Sequence, residues 1–327
     1  NPSPIILQGA IFVKNNAILT ILPGTDVRGQ PRTAAVVPGN TAGTPGALIV
    51  TQSGRIIADG STALPIIMTS AVPDNDNNGI ADDLNANGFK DAYPGFLPGG
   101  GCPGACTPAT TAQAVFLDDT PRTAPLAPLD KAGKANVALW GGLVILGNAP
   151  TNLADKCGVG FGKCTIEGLT VPGFPAADCT YGGTLPHDNS GSLRFVSLRH
   201  SGDEIGNSNE LNGLSLGGVG SGTRLENVEI WTNFDDGFEW FGGTVNGKNL
   251  AVFFAGDDMF DLDEGYTGVN QFLFGVMPFF NNNDTTAYGS ASGDKAGEFD
   301  GDNYRPDNVA QNNNTTLRIN GDQTVVD

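Results

Sequence analysis

Two short stretches hold the carboxylates best placed to do chemistry. TNFDDGFEWFGG (232–243) and FAGDDMFDLDEG (254–265) each carry an aspartate pair, a phenylalanine, a further acid and a glycine turn, and they lie 22 residues apart. Taking Leu198, Ile230 and Val252 as equivalent positions, the acids form two columns, Asp203–Asp235–Asp257 and Glu204–Asp236–Asp258, which end where Phe279 and Phe280 follow. Asp261 falls on Glu239 at the same interval, and Asp263 and Glu264 extend the charge. Carboxylates stacked ~5 Å apart repel by roughly 0.8 kcal/mol per pair in water, and by several times that where water is partly excluded. Three routes relieve this. The acids can fan into solvent. They can hold Ca²⁺, which accepts about six to eight oxygens in flexible geometry. Or some can keep a proton at neutral pH and act as general acids, making Asp235, Asp236, Asp257 and Asp258 a catalytic set.

A second acidic pattern is DNDNNGIADDLNANGFKD (74–91), which reads in nines. Asp74, Asp76, Asn78 and Asp82 are followed by Asp83, Asn85, Asn87 and Asp91, with Gly79 and Gly88 at the sixth place of each copy. Oxygen side chains at the first, third and fifth places, a glycine at the sharp turn and an acid at the ninth follow the logic of a Ca²⁺ loop. Backbone oxygens near Ile80 and Phe89 complete the expected ligand set. A full EF-hand is disfavoured, because no bidentate glutamate stands at the twelfth place. The tandem spacing resembles thrombospondin type 3 repeats, which implies a structural Ca²⁺ ordering a loop with no core of its own. An Asx-rich linker is the competing reading.

The elements that position these residues are short. Glycine is abundant (47 of 327) and charged residues are few (16%), which suits many strands joined by tight turns. Val13 matches Val50 and Leu19 matches Ile56, both 37 residues on. Leu198, Ile230, Val252 and Phe274 mark one column at intervals of 32, 22 and 22, the longer one holding an insertion around EIGNSNELNG. A second column runs Leu216, Trp240, Leu262. A period near 22 predicts an all-β, right-handed parallel β-helix, coils stacked ~4.8 Å apart with apolar columns inside. A β-sandwich has no reason to keep that period. The expected organisation is a β-helix over 1–276 with the calcium loop inside an insertion at 73–136. An Asn/Thr/Gly-rich segment, 277–327, follows with short strands at 315–319 and 323–326.

A net charge of −18 excludes nucleic acid and anionic membranes as partners. No stretch approaches the ~20 apolar residues of a membrane span. The chain opens on Asn1, the expected mark of a removed signal peptide. In a secreted protein Cys102 would pair with Cys106, and two of Cys157, Cys164 and Cys179 with each other, leaving one thiol. His187 and His200 have no metal-ligand spacing to these cysteines, so zinc is not expected. LGGVGSG (216–222) precedes no helix and reads as turn glycines rather than a phosphate loop. Alternation puts Phe238 and Trp240 in the core and leaves Trp231 or Phe241 to line a surface sugar platform. Asn283, Asn313 and Asn314 begin glycosylation sequons.

The strings LTILPGT, GRIIADGS, WGGLVILGNAPTN, YGGTLPHDNSGSLRFVSLRHSG and DDGFEWFGGTVNGKNL, spread over about 5–275, resemble secreted bacterial proteins of the pectate-lyase-like β-helix class. That group occurs in Gram-negative bacteria, Bacteroidetes among them. The resemblance implies the fold and an extracellular or cell-surface location, and no particular activity. TNFDD followed by GDD is also similar to the Asn-Thr-Asp motif and Asp pair of polygalacturonases, which implies hydrolysis by paired carboxyls. That family's later motifs are not matched: no His follows Asp258, and LRIN carries Asn320 where lysine is expected. A lyase would need a base, and Arg224 and Lys248 fall in turns.

The repeat begins at IILQG (5–9) with no amphipathic capping helix in view. Open strand edges at both ends of a β-helix recruit other chains, and a head-to-tail contact between them builds filaments. Two readings follow. One is a calcium-stabilised structural or adhesive surface protein that polymerises with itself and contacts surface glycans. The other is a polysaccharide-acting enzyme using the stacked aspartates.

Overall fold

A computed structural model describes residues 4–31, 44–71, 136–153, 157–167, 169, 175–203, 211–277 and 296–299, with the backbone of 315–319 and 322–326. The first strands are β1 (Ile5–Leu7), β2 (Ala10–Val13), β3 (Ile18–Ile21), β4 (Asp26–Gly29), β5 (Ala47–Val50), β6 (Arg55–Asp59) and β7 (Ile66–Ser70). β8 (Gly142–Leu146), β9 (Cys164–Thr165), β10 (Thr180–Tyr181), β11 (Gly191–Arg199) and β12 (Leu214–Gly217) follow. Then come β13 (Arg224–Trp231), β14 (Phe238–Phe241), β15 (Asn246–Phe253), β16 (Phe260–Asp263) and β17 (Asn270–Val276).

These strands wind into a right-handed parallel β-helix. One sheet stacks β2, β5, β8, β12, β14 and β16, all parallel. The other stacks β1, β4, β7, β11, β13, β15 and β17, with β3 and β6 alongside. In the first coils this second sheet has two short strands per coil. From β11 onward one strand makes the same bend through a single left-handed residue: Phe195, Asn227, Asn249 and Phe272 have φ of 49, 54, 55 and 62°. Each coil therefore has three straight runs. Asparagine suits the corner because its short polar side chain tolerates that backbone, and Asn249 Nδ2 donates to Asn227 Oδ1 at 2.9 Å.

Alternation then builds the core. One inward column runs Ile5, Val27, Met68, Leu198, Ile230, Val252. Another runs Ile11, Leu48, Leu143, Leu214, Phe238, Phe260. The column Leu216–Trp240–Leu262 is present as expected from the period. The last coil differs. β17 is offset by 23 residues, not 22, so Gly275 sits beside Val252 and Phe274 beside Ala251 on the outward face. Phe274 is 56% exposed. Met259 takes up the vacated volume: a Cβ on Gly275 would lie 2.5 Å from its sulfur.

A smaller apolar cluster lies outside the first sheet. Ile49, Val144, Leu146 and Phe241 pack against Leu153, Ile166, Leu169, Cys179 and Tyr181 from the segment between β8 and β11. β9 and β10 pair antiparallel, a Cys157–Cys164 disulfide closes the same segment, and Cys179 is free and buried. Lys14 ties it to the first coil through Asp178 at 2.6 Å. Past β17, Glu298 bonds in parallel to β16, its N–H to Phe260 O and its O from Leu262 N, both at 3.0 Å. Residues 315–319 and 322–326 pair antiparallel as β18 (Thr315–Ile319) and β19 (Asp322–Val326). Among the described residues no helix is long and apolar enough to cross a membrane.

Candidate functional site

The acidic residues gather at the turn that carries each coil from the second sheet to the first. One αL residue opens this turn in each of three coils, His200, Thr232 and Phe254 (φ 61, 55 and 64°). Asn233 then anchors the loop. Its Oδ1 accepts Ser201 Oγ at 2.8 Å, and its Nδ2 donates to Asp236 O at 2.6 Å. The following polar position links coil to coil: Asn212 Oδ1 accepts the Asp236 amide at 3.2 Å, and Asp236 Oδ1 accepts the Asp258 amide at 2.9 Å. Gly213 and Gly237 follow, and a Cβ on either would lie within 2.7 Å of an Ile230 or Val252 methyl. Glycine is required there for the turn to close on the core.

Asp235, Asp236 and Asp257 each bring a carboxylate oxygen within 4.8 Å of the others. A second triad shares Asp236: its oxygen, one from Glu239 and one from Asp261 also lie within 4.8 Å. Glu239 and Asp261 stack on the outward face of β14 and β16. Asp236 is 8% exposed and Glu239 6%. Burial, then Asp235, Asp261 and Asp258, push the Asp236 carboxyl well above the usual range, against the pull of the Asp258 amide. Burial, then Glu167, Asp236 and Asp261, do the same to Glu239. Asn212 Nδ2 donates to Glu239 Oε2. All these donors are oxygens, the set that suits a hard cation such as Ca²⁺, Mg²⁺ or Mn²⁺. A buried acidic centre able to hold a metal ion is therefore built into the fold.

The structure redraws the expected ladder. Asp235, Asp236 and Asp257 come together, and Asp258 joins through its amide. Asp203 N bonds to Trp140 O. Glu204 lies outside the described residues, and the place under Asp236 is taken by Asn212. The nine-residue calcium pattern (Asp74, Asp76, Asn78, Ile80, Asp82, Asp83, Asn85, Asn87, Asp91, with Phe89), Cys102, Cys106 and the three sequons also lie outside the described residues. Phe241 is not a surface platform: it is 5% exposed, packed 5.9 Å from Tyr181. Trp231 does face outward, half-buried.

Nothing in the sequence marks the groups that close the site from the far side. Tyr181 Oη donates to Glu264 Oε2 at 2.7 Å, and burial followed by Glu264 raises the phenol far above its ordinary range. Glu167, from the same insertion, adds its negative charge to the field at Glu239. These interactions join positions 83 and 72 residues apart in chain, with no periodicity to reveal them.

Neither curated proteins nor solved structures gave a match to the chain. The profile of the pectate-lyase like beta helix domain matches residues 127–324, more than half of the chain and all of the acidic centre. The stacked parallel sheets agree with that match, and the chain belongs to the pectate-lyase like beta helix domain family.

Proposed function

We propose that this is a secreted or cell-surface β-helix rod with a structural or adhesive role, stabilised by Ca²⁺ and assembling head to tail. The observation that carries the reading is the state of the outermost coils. Among the described residues, the core columns at one end finish on Ile5 (51% exposed) and Ile11 (40%). At the other, among the described residues, the second sheet ends on β17, where Leu273, beside the buried Leu250, is 40% exposed. Both are parallel strand edges running in the same sense, so one copy's β1 and β3 can continue another's β17. Such a contact is heterologous and does not close, which gives a filament. The Ca²⁺ part is supported by the oxygen-only triads and by the nine-residue pattern at 74–91.

Negative-stain electron microscopy in millimolar Ca²⁺, at rising protein concentration, tests it. Filaments with a regular axial repeat are expected, and a chelator should shorten or dissolve them. Isolated short rods at every concentration would remove the assembly.

A second reading has one observation in its favour. Asp236 and Glu239 are crowded carboxyls biased toward the protonated form, as a general acid requires. Against it, both carboxyls are buried, at 8% and 6% exposed. Asp236→Asn and Glu239→Gln, assayed on polygalacturonate, decide: lost turnover supports an enzyme, and no turnover in the unaltered chain removes it.

A further inference from the structure

The outward face of the last straight run of each coil carries a different pattern. Register places Arg199, Trp231, Phe253 and Val276 in one column and Ser197, Glu229, Ala251 and Phe274 in the next. The corner beside them repeats the bonded amides of Asn227 and Asn249. Between corner and columns runs a groove of about 400 Å³, lined by Ser197, Asn227, Glu229 and Asn249 among others. Rings flank it. Trp231 meets Phe253 at 4.9 Å and Phe254 edge-on at 5.3 Å, and Phe253 reaches Phe274 at 5.7 Å. None of these four rings belongs to the core cluster. A contiguous aromatic patch on an outward face marks an interaction surface.

We infer that this face binds a neutral glycan, laid along the helix axis. The inference gives the adhesive part of the reading above a site, and it rests on that part. Three observations select the ligand. The columns repeat at the coil spacing of ~4.8 Å, so amide and ring contacts recur along a line, as the units of a sugar chain do. Apolar rings beside a few placed amides, a hydroxyl and a carboxylate suit a ligand with apolar C–H faces and hydroxyl edges. No lysine or arginine among the described residues lines the groove, and the cation of the neighbouring column is engaged: Arg199 is 7% exposed, its Nε donates to Ser197 Oγ at 2.7 Å, and its guanidinium stands 3.8 Å from Glu229. With Glu229 in the groove and a net charge of −18, a polyanion is repelled. A protein partner is the poorer fit, because a stable interface needs about 800 Å² on each side and a groove of about 400 Å³ is in the range of a small-ligand cleft.

The test is native affinity electrophoresis of the full chain through gels containing β-glucan, xylan or mannan, with a polygalacturonate gel as the anionic control. Tryptophan fluorescence gives a second readout, since Trp140 and Trp240 are fully buried and Trp231 alone of the three is not. Retardation in a neutral gel is expected, with a change in emission. Trp231→Ala should weaken it by roughly tenfold or more, the scale of an aromatic anchor. Ala251→Trp fills the groove without removing a ring and should also abolish it, which decides the matter if Trp231→Ala does not fold. No retardation in any neutral gel, retardation by polygalacturonate alone, or wild-type binding by both variants overturns the inference. Filament formation is scored separately. Retardation without filaments keeps this inference and removes the assembly; filaments without retardation do the reverse.

Discussion

Asp236 gives one carboxylate oxygen to the Asp258 amide and stands within reach of Asp235, Asp257, Glu239 and Asp261. Its folded-state pKa is raised, so between the unfolded value near 4 and the folded one the native state binds more protons than the unfolded state. Stability from this group is therefore full below about pH 4 and is lost as pH rises through the folded value. Glu239 acts in the same direction. In EDTA, the Tm of the wild type relative to Asp236→Asn should fall between pH 4.5 and 7.5; a constant difference would show that the centre does not titrate there. Asparagine keeps an acceptor for Asp258 and removes the charge. In EDTA at pH 7.5 the variant should be more stable by on the order of 1–2 kcal/mol. Millimolar Ca²⁺ should invert the order, since a ligand at about a hundred times its Kd adds ~2.7 kcal/mol and the variant binds it less well. Calorimetry with and without Ca²⁺ checks both.

At the scale of elements, the coil is set by where the backbone must bend and where it must pass close to the core. Gly237 shows the second constraint, because an added Cβ would meet Met259 O at 2.5 Å and the Val252 methyls at 2.7 and 2.8 Å. Gly237→Ala should cost about 1–3 kcal/mol by overpacking, whereas Ala251→Ser on the outward face should be nearly neutral; urea melts of the two separate these outcomes. The same scale explains what the sequence reveals. Regular 22-residue spacing makes Ile230, Val252, Trp240 and Leu262 legible, because inward residues repeat with the coil. Phe274 misleads because the turn before β17 holds one more residue, and the core there is filled by Met259 instead of by its own column. The aspartates at 235, 236, 257 and 258 are readable from the same period. Glu167, Tyr181 and Asn212 are not, because they arrive through insertions whose length carries no register.

For the whole molecule, head-to-tail stacking predicts an asymmetry that no symmetric dimer shares. Ile5→Lys, at the start of an inward column, should block the first end and leave β17 able to accept a copy. Leu273→Lys, beside Leu250 on the last coil, should block the other end and leave β1 and β3 able to donate one. A buried lysine with no partner is costly enough to stop either contact. Alone, each variant should sediment as a monomer in millimolar Ca²⁺. Mixed in equal amounts, they have one good end each and should form a dimer that grows no further. Either variant added to wild type should shorten filaments in proportion to its share, by capping one end. A two-fold contact gives a different result, because it joins like ends: the variant altered at that end stays monomeric alone, the other still pairs with itself, and mixing the two creates no new dimer. Analytical ultracentrifugation of the three samples distinguishes them, and a mixture that stays monomeric would remove end-to-end assembly through these strands.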